Sequence, residues 1–139
     1  MTSVNVTKTI SIPAQTAWDK LASFSGIEHF SPIERSVVEG TGVGAKRSCF
    51  LPENVEIKEE LTKLDNDSMS FEYVILSGPF PISNYVSTVK VSAKGNEASE
   101  ISWTANFVVG DAPVEEMEGL FSGFYNAIID GLEALVINA

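Results

Sequence analysis

Hydrophobic and polar residues alternate along most of the chain before residue 110, and a period of two is typical of half-buried β-strands. Two shorter runs, 35–39 and 70–76, are rich in residues that favour strands. The predicted strands are 4–12, 35–39, 45–51, 55–64, 70–76, 85–93 and 100–109. Short turns separate most of them, which predicts an antiparallel meander of hairpins.

The remaining segments show helical spacing. Ala17, Trp18 and Leu21 predict a short helix over residues 14–22, and residues 24–30 predict a second short helix or turn. From Pro113 onward, apolar residues recur every three or four positions, which predicts one helix of more than twenty residues. We expect Asp111 or Ala112 to cap it. One long helix against one sheet indicates an α+β fold.

Size and charge narrow the classes of function. The chain has 139 residues, 44% of them hydrophobic, so we expect a single domain over residues 1–139. Its formal net charge of −10 disfavours nucleic acid and anionic membrane surfaces as partners. The N-terminus lacks the pattern of a signal peptide, and we expect no membrane span, since no apolar run approaches the ~20 residues that one requires. These features predict a cytoplasmic location.

Few residues offer metal or nucleophilic chemistry. One cysteine, Cys49, and one histidine, His29, cannot form a disulfide or a typical zinc site, so we predict no metal and no cofactor. No sequence feature supplies a base for Cys49, which favours an inert buried thiol over a nucleophile. The glycine-rich stretch at 40–46 lacks the spacing of a phosphate-binding loop.

Side chains at every second position of a strand share one face of the sheet, and this strand parity defines an inner face. A stripe of the long helix is predicted to face it. Polar groups set among apolar ones on this face are typical of a small-molecule site, although a plain core is the favoured explanation of the aliphatic residues. We predict no catalytic residue. The predicted ligand-binding residues are Arg47, Cys49, Ile57, Glu59, Leu61, Phe71, Tyr73, Ile75, Phe80, Tyr85, Ser87, Leu120, Phe124 and Ile128.

The turn centred on Glu53 sets the register of the third and fourth strands. If Leu51 faces Val55, then Arg47 faces Glu59 on the inner side. We therefore predict an ion pair, either a fixed structural one or an acid/base pair at the cavity wall. Tyr73 and Tyr85 suit either a core position or contact with a ligand oxygen.

Four stretches in order resemble a known family. They are ISIPAQTAWDKLASF at 10–24, GTGVGAKR at 40–47, GPFPISNYVSTVKV at 78–91 and ISWTANF at 101–107. The set resembles the START-like, helix-grip superfamily, and in particular its polyketide cyclase/dehydrase and lipid-transport branch. The segment Phe80-Pro81-Ile82 departs from the latch of the hormone receptors in that branch, which argues against a hormone-receptor role.

The resemblance implies a curved seven-stranded sheet wrapped around the long helix, with a ligand cavity between them. It also implies that the loops after the third and fifth strands gate the cavity. Both turns follow strands that run the same way in a meander, so the loops 52–54 and 78–81 should lie side by side, with Phe80 as a lid residue. Binding of a small hydrophobic or amphipathic ligand is the leading prediction. The alternatives are a cyclase or dehydratase that uses Glu59, Arg47 and a tyrosine, and an accessory protein that acts through a protein partner.

Overall fold

The computed structural model describes residues 1–138 and shows the α+β architecture that the sequence predicts. The strands are β1 (Thr2–Ile10), β2 (Arg35–Glu39), β3 (Lys46–Leu51), β4 (Val55–Asp65), β5 (Ser70–Ser77), β6 (Ile82–Ala93) and β7 (Ser99–Val109). The helices are α1 (Ala14–Ala22) and α2 (Val114–Ile137), with short 3-10 helices at Ile27–His29 and Pro52–Asn54.

The seven strands form one antiparallel sheet in the order β1-β7-β6-β5-β4-β3-β2. Strands β2 to β7 are therefore a meander, as the hairpin pattern predicts. Strand β1 pairs with β7, so the first and last strands lie side by side.

Three boundaries differ from the predictions. Strand β6 begins at Ile82 rather than at Tyr85, because Asn84 adopts a left-handed φ of 56° and the pairing with β7 shifts there. Strand β1 ends at Ile10, before Ile12. Pro113 occupies the N-cap of α2 without a side-chain hydrogen bond, so neither Asp111 nor Ala112 is the cap.

The core lies between the inner face of the sheet and α2, which packs against β1 and β7. Lys8 interrupts the apolar register of β1 because its Nζ lies 2.5 Å from Asp130 Oδ1 of α2. A side chain at Gly131 would overlap the carbonyl oxygen of Phe30, whereas nothing lies within 4 Å of a Cβ placed at Gly123. Of these two glycines of α2, only Gly131 is thus required for close packing.

Helix α2 is long and apolar. By length and composition alone it is apolar enough to cross a membrane, so the expected absence of a membrane span stays a prediction. Six of its residues are buried: Met117, Phe121, Tyr125, Ile128, Ile129 and Leu132. Burial of this face explains the apolar composition of α2, since a core helix needs a wide apolar stripe.

Candidate ligand-binding cavity

A cavity of about 300 Å³ lies between the inner face of the sheet and the N-terminal half of α2. Its wall is largely apolar and aromatic, with one charged side chain and three phenol groups. The lining residues are Pro32, Leu51, Pro52, Ile57, Glu59, Tyr73, Ile75, Phe80, Tyr85, Leu120, Phe121, Phe124 and Tyr125.

The predicted site residues divide into two groups. Eight of them line the cavity: Ile57, Glu59, Tyr73, Ile75, Phe80, Tyr85, Leu120 and Phe124. The other six are buried in the core but do not line it: Arg47, Cys49, Leu61, Phe71, Ser87 and Ile128. Strand parity selects the inner face correctly, but the cavity occupies only the part of that face nearest the loops.

Sequence reasoning missed two aromatic residues of α2 in the wall. Phe121 and Tyr125 point into the cavity, while Ile128, which was expected there, packs one turn further along in the core. The apolar face of α2 is so wide that its periodicity does not fix the rotation of the helix about its axis. Tyr125 carried one usable signal, because a phenol inside an apolar stripe needs a polar partner.

The two loops that are predicted to lie side by side, 52–54 and 78–81, both contribute to the cavity wall. Pro52, from the 3-10 helix after β3, and Phe80, from the segment before β6, line the same wall. The ring of Phe80 packs edge-on against Phe121 of α2, with centroids 5.2 Å apart. Glu53 and Asn54 both have positive φ, 68° and 61°, so the first loop is tightly turned. A gating motion of these loops on ligand binding stays a prediction.

The predicted ion pair between Arg47 and Glu59 is confirmed. The two residues are cross-strand partners on β3 and β4, and both are buried, with 5% and 8% of their surface exposed. Arg47 Nε donates to Glu59 Oε1 over 2.8 Å, and Arg47 Nη2 lies 2.8 Å from the same oxygen. Burial is the largest single influence and opposes the charge on Arg47, but the attraction and hydrogen bond of Glu59 together with smaller contributions from Cys49 and Tyr73 outweigh it, so the pKa of Arg47 lies above its usual value.

Phe24 holds the other side of the guanidinium. Its ring lies 3.9 Å from Arg47 Cζ, and its carbonyl oxygen accepts a hydrogen bond from Arg47 Nη1 over 3.4 Å. Phe24 has a φ of 63°, which is rare for a bulky residue. Arg47 is thus clamped behind Glu59, outside the cavity wall.

Glu59 presents its second oxygen to the cavity. Both Arg47 contacts and the thiol of Cys49, at 3.5 Å, fall on Oε1. Among residues 1–138, every fully buried side-chain nitrogen or oxygen has a hydrogen-bond partner. Oε2 has no partner among these residues, so it cannot be fully buried. Oε2 is therefore accessible, and because Glu59 lines the cavity, it offers a hydrogen-bond acceptor there.

Cys49 has the environment of an inert thiol. It is 1% exposed, and burial together with the neighbouring Glu59 charge raises its pKa far above the usual value. A thiol that stays protonated is a poor nucleophile.

Three phenols and one indole form a buried hydrogen-bonded chain. Trp103 Nε1 donates to the Tyr73 hydroxyl over 3.2 Å, the Tyr73 and Tyr85 hydroxyls are 3.3 Å apart, and Tyr85 bonds to Tyr125. Burial raises the pKa of Tyr73 to about 12 and raises those of Tyr85 and Tyr125 well above 10. All three phenols are thus neutral near pH 7 and keep their hydrogens.

The cavity combines an apolar volume with two kinds of polar group, a carboxylate oxygen and neutral phenols. Among residues 1–138, no three histidine, cysteine or carboxylate side chains converge to hold a metal ion. The arrangement suits recognition of an organic molecule by shape and a few hydrogen bonds.

Comparisons with known proteins agree with this fold. The model of the family described as polyketide cyclase / dehydrase and lipid transport matches residues 1–136. No curated protein matches the sequence.

Three solved structures illustrate the likeness. The protein XoxI from Bacillus cereus has a TM-score of 0.88 and 24% identity, with 96% of this chain and 94% of that chain covered. A protein from Thermobifida fusca has a TM-score of 0.85 and 22% identity, with coverage of 96% and 91%. Norcoclaurine synthase from Thalictrum flavum, in complex with dopamine and hydroxybenzaldehyde, has a TM-score of 0.75 and 19% identity, with coverage of 99% and 87%. At these identities the likeness concerns the fold.

Proposed function

We propose that this chain, which belongs to the polyketide cyclase / dehydrase and lipid transport family, binds a small, mainly apolar molecule between its sheet and α2. The observation that carries the proposal is the cavity itself. Its volume of about 300 Å³ reaches the lower end of the range for small-molecule sites, ~300–1,000 Å³.

The composition of the wall supports the same function. Twelve of the thirteen lining residues are uncharged, and nine of those are aliphatic, aromatic without a hydroxyl, or proline. An apolar wall with a few convergent polar groups favours a ligand that hides a carbon skeleton from water and orients one or two heteroatoms. The norcoclaurine synthase structure of the same fold contains two small aromatic molecules, which is consistent with this size and class.

Two matched substitutions on α2 test whether binding occurs in this cavity. Leu120 and Val114 are both 42% exposed, but only Leu120 lines the cavity. Leu120→Trp should fill the mouth, and Val114→Trp should add the same side chain away from it. Titration with the neutral fluorescent probe N-phenyl-1-naphthylamine should show saturable binding to the wild type and to Val114→Trp, and at least tenfold weaker binding to Leu120→Trp.

Equal loss of binding in both variants would indicate a general effect on the helix. Equal affinity in all three proteins would place the probe elsewhere, and absence of saturable binding to the wild type would overturn the proposal.

A cyclase or dehydratase activity is a second candidate, and the accessible Oε2 of Glu59 favours it. A carboxylate oxygen and a protonated phenol at one apolar cavity are the groups that elimination of water from a β-hydroxyketone requires. Glu59 would remove the proton next to the carbonyl, and a tyrosine hydroxyl would protonate the departing hydroxyl to give water and an enone.

The expected signature is formation of the enone chromophore from 4-hydroxy-4-(2-naphthyl)butan-2-one. Glu59→Gln should abolish turnover while the variant still binds the fluorescent probe. Turnover that persists in Glu59→Gln, or none in the wild type with substrate bound, would exclude this mechanism.

A further inference from the structure

The hydroxyl chain in the cavity wall has one hydrogen more than its bonds use. Trp103 and the three phenols supply four donor hydrogens, and the chain contains three hydrogen bonds. Trp103 can only donate, so its hydrogen goes to Tyr73. Two phenol hydrogens then fill the two phenol–phenol bonds, and one hydroxyl hydrogen is left whichever way the chain is oriented.

The spare hydrogen belongs to a residue of the cavity wall. It sits on Tyr73, Tyr85 or Tyr125 according to the direction of the chain, and all three residues line the cavity. Ser87 is the competing acceptor, since it is the cross-strand partner of Tyr73 on β6. However, Ser87 donates to the Thr104 carbonyl over 2.9 Å and makes no hydrogen bond within 3.5 Å to a phenol.

The charged groups define which ligands the cavity rejects. Glu59 is the one charged residue in the wall, and the positive charge of Arg47 behind it is already compensated by Oε1. An anionic ligand would therefore find no free cation, and burial of an uncompensated charge is costly. An ammonium ligand would lie near the Glu59 carboxylate, but Arg47 already balances that charge, so the ammonium charge would also be uncompensated.

We propose that the cavity selects an uncharged ligand whose carbonyl or ether oxygen accepts a hydrogen bond from the tyrosine chain, and that it discriminates against carboxylates and ammonium ions. This inference rests on the proposed binding function and specifies the class of ligand. It follows from the hydrogen count and from the Arg47–Glu59 pairing.

Probes with one naphthalene ring and one altered group provide the test. They are 2-acetonaphthone, 2-isopropenylnaphthalene, 2-naphthoate and 2-naphthylmethylammonium, so that a carbonyl is compared with its alkene isostere, an anion and a cation. Displacement of N-phenyl-1-naphthylamine at pH 7 and calorimetry give the affinities. We expect the ketone to bind about three- to tenfold more tightly than the alkene, the range of one net hydrogen bond, and the two ions to bind more than tenfold more weakly than the ketone.

Variants assign the preference to the groups named above. Replacement of Tyr73, Tyr85 and Tyr125 together by Phe should bring ketone and alkene to equal affinity, since volume is retained and the phenol donor is lost. Glu59→Gln should raise the affinity for 2-naphthoate relative to the ketone, because Arg47 then lacks its counter-charge. If the triple variant does not fold, the wild-type series and Glu59→Gln decide.

The outcomes separate this inference from the proposed function. If the probes bind with equal affinity for ketone and alkene, or if either ion binds as tightly as the ketone, the ligand class is wrong while the binding function stands. If none of the probes binds, including the fluorescent one, both proposals fail. A preference for the ketone that the triple variant retains would move the donor away from the tyrosines and overturn the assignment.

Discussion

Alkaline pH tests the burial of the phenols, because Tyr73, Tyr85 and Tyr125 are the only three tyrosines in the chain and are 3%, 4% and 1% exposed. In the unfolded chain, phenols ionise with a pKa of about 10. In the native protein, burial is the main cause that raises the pKa of all three, to about 12 for Tyr73 and well above 10 for the others. The tyrosine contribution to stability is therefore complete below pH ~10 and is lost as the pH rises further.

The slope of this loss follows from the number of phenols. Between about pH 10 and pH 12, each native phenol holds a proton that the unfolded chain has released, which lowers the free energy of unfolding by about 1.4 kcal/mol per pH unit. Three phenols together give about 4 kcal/mol per pH unit, and Cys49, whose pKa is also raised by burial, adds its own contribution. The difference between the wild type and Tyr125→Phe isolates one phenol. The free energy of unfolding of the variant should therefore fall by about 1.4 kcal/mol per pH unit less than that of the wild type.

Two measurements check this. Urea unfolding followed by far-ultraviolet circular dichroism at half-unit pH steps gives the slopes, and the near-ultraviolet absorbance of phenolate reports ionisation directly. No phenolate should form near pH 10 while the native circular dichroism persists. Phenolate absorbance with a midpoint near pH 10 in the native protein, or equal slopes for wild type and Tyr125→Phe, would refute burial of the hydroxyl chain.

Two further predictions concern the scaffold. Arg47→Met should lower the free energy of unfolding by about 3–5 kcal/mol, because it leaves the Glu59 carboxylate buried and unpaired. Adding Glu59→Leu should recover much of that loss. A double-mutant cycle measured by urea unfolding would contradict the pairing if the coupling energy were near zero. Gly131→Ala should destabilise the protein by about 1–3 kcal/mol, because its Cβ would overlap the Phe30 carbonyl. Gly123→Ala, whose Cβ meets open space, should stabilise it by up to about 1 kcal/mol. If both substitutions shift the thermal unfolding temperature in the same direction, the close approach at Gly131 is absent.

The sequence by itself determined the elements and the strand registers that turns control. Period-two alternation identified the strands, and the tight turn at Glu53 fixed the pairing of Arg47 with Glu59, because a slip by one residue would expose the apolar side chains of both strands. Strand parity likewise placed Tyr73 and Tyr85 on the inner face. These are local properties, since side-chain direction along a strand follows directly from position.

Only the tertiary structure decided where on that face the cavity lies and which side of α2 closes it. The rotation of α2 depends on packing against β1 and β7 and on the contact of Gly131 with the Phe30 backbone, a partner one hundred residues distant along the chain. This rotation of α2 places Tyr125, the last member of the hydrogen-bonded chain that begins at Trp103, in the cavity wall. The bulge at Asn84 also arises from pairing between β6 and β7, which no local pattern in either strand specifies.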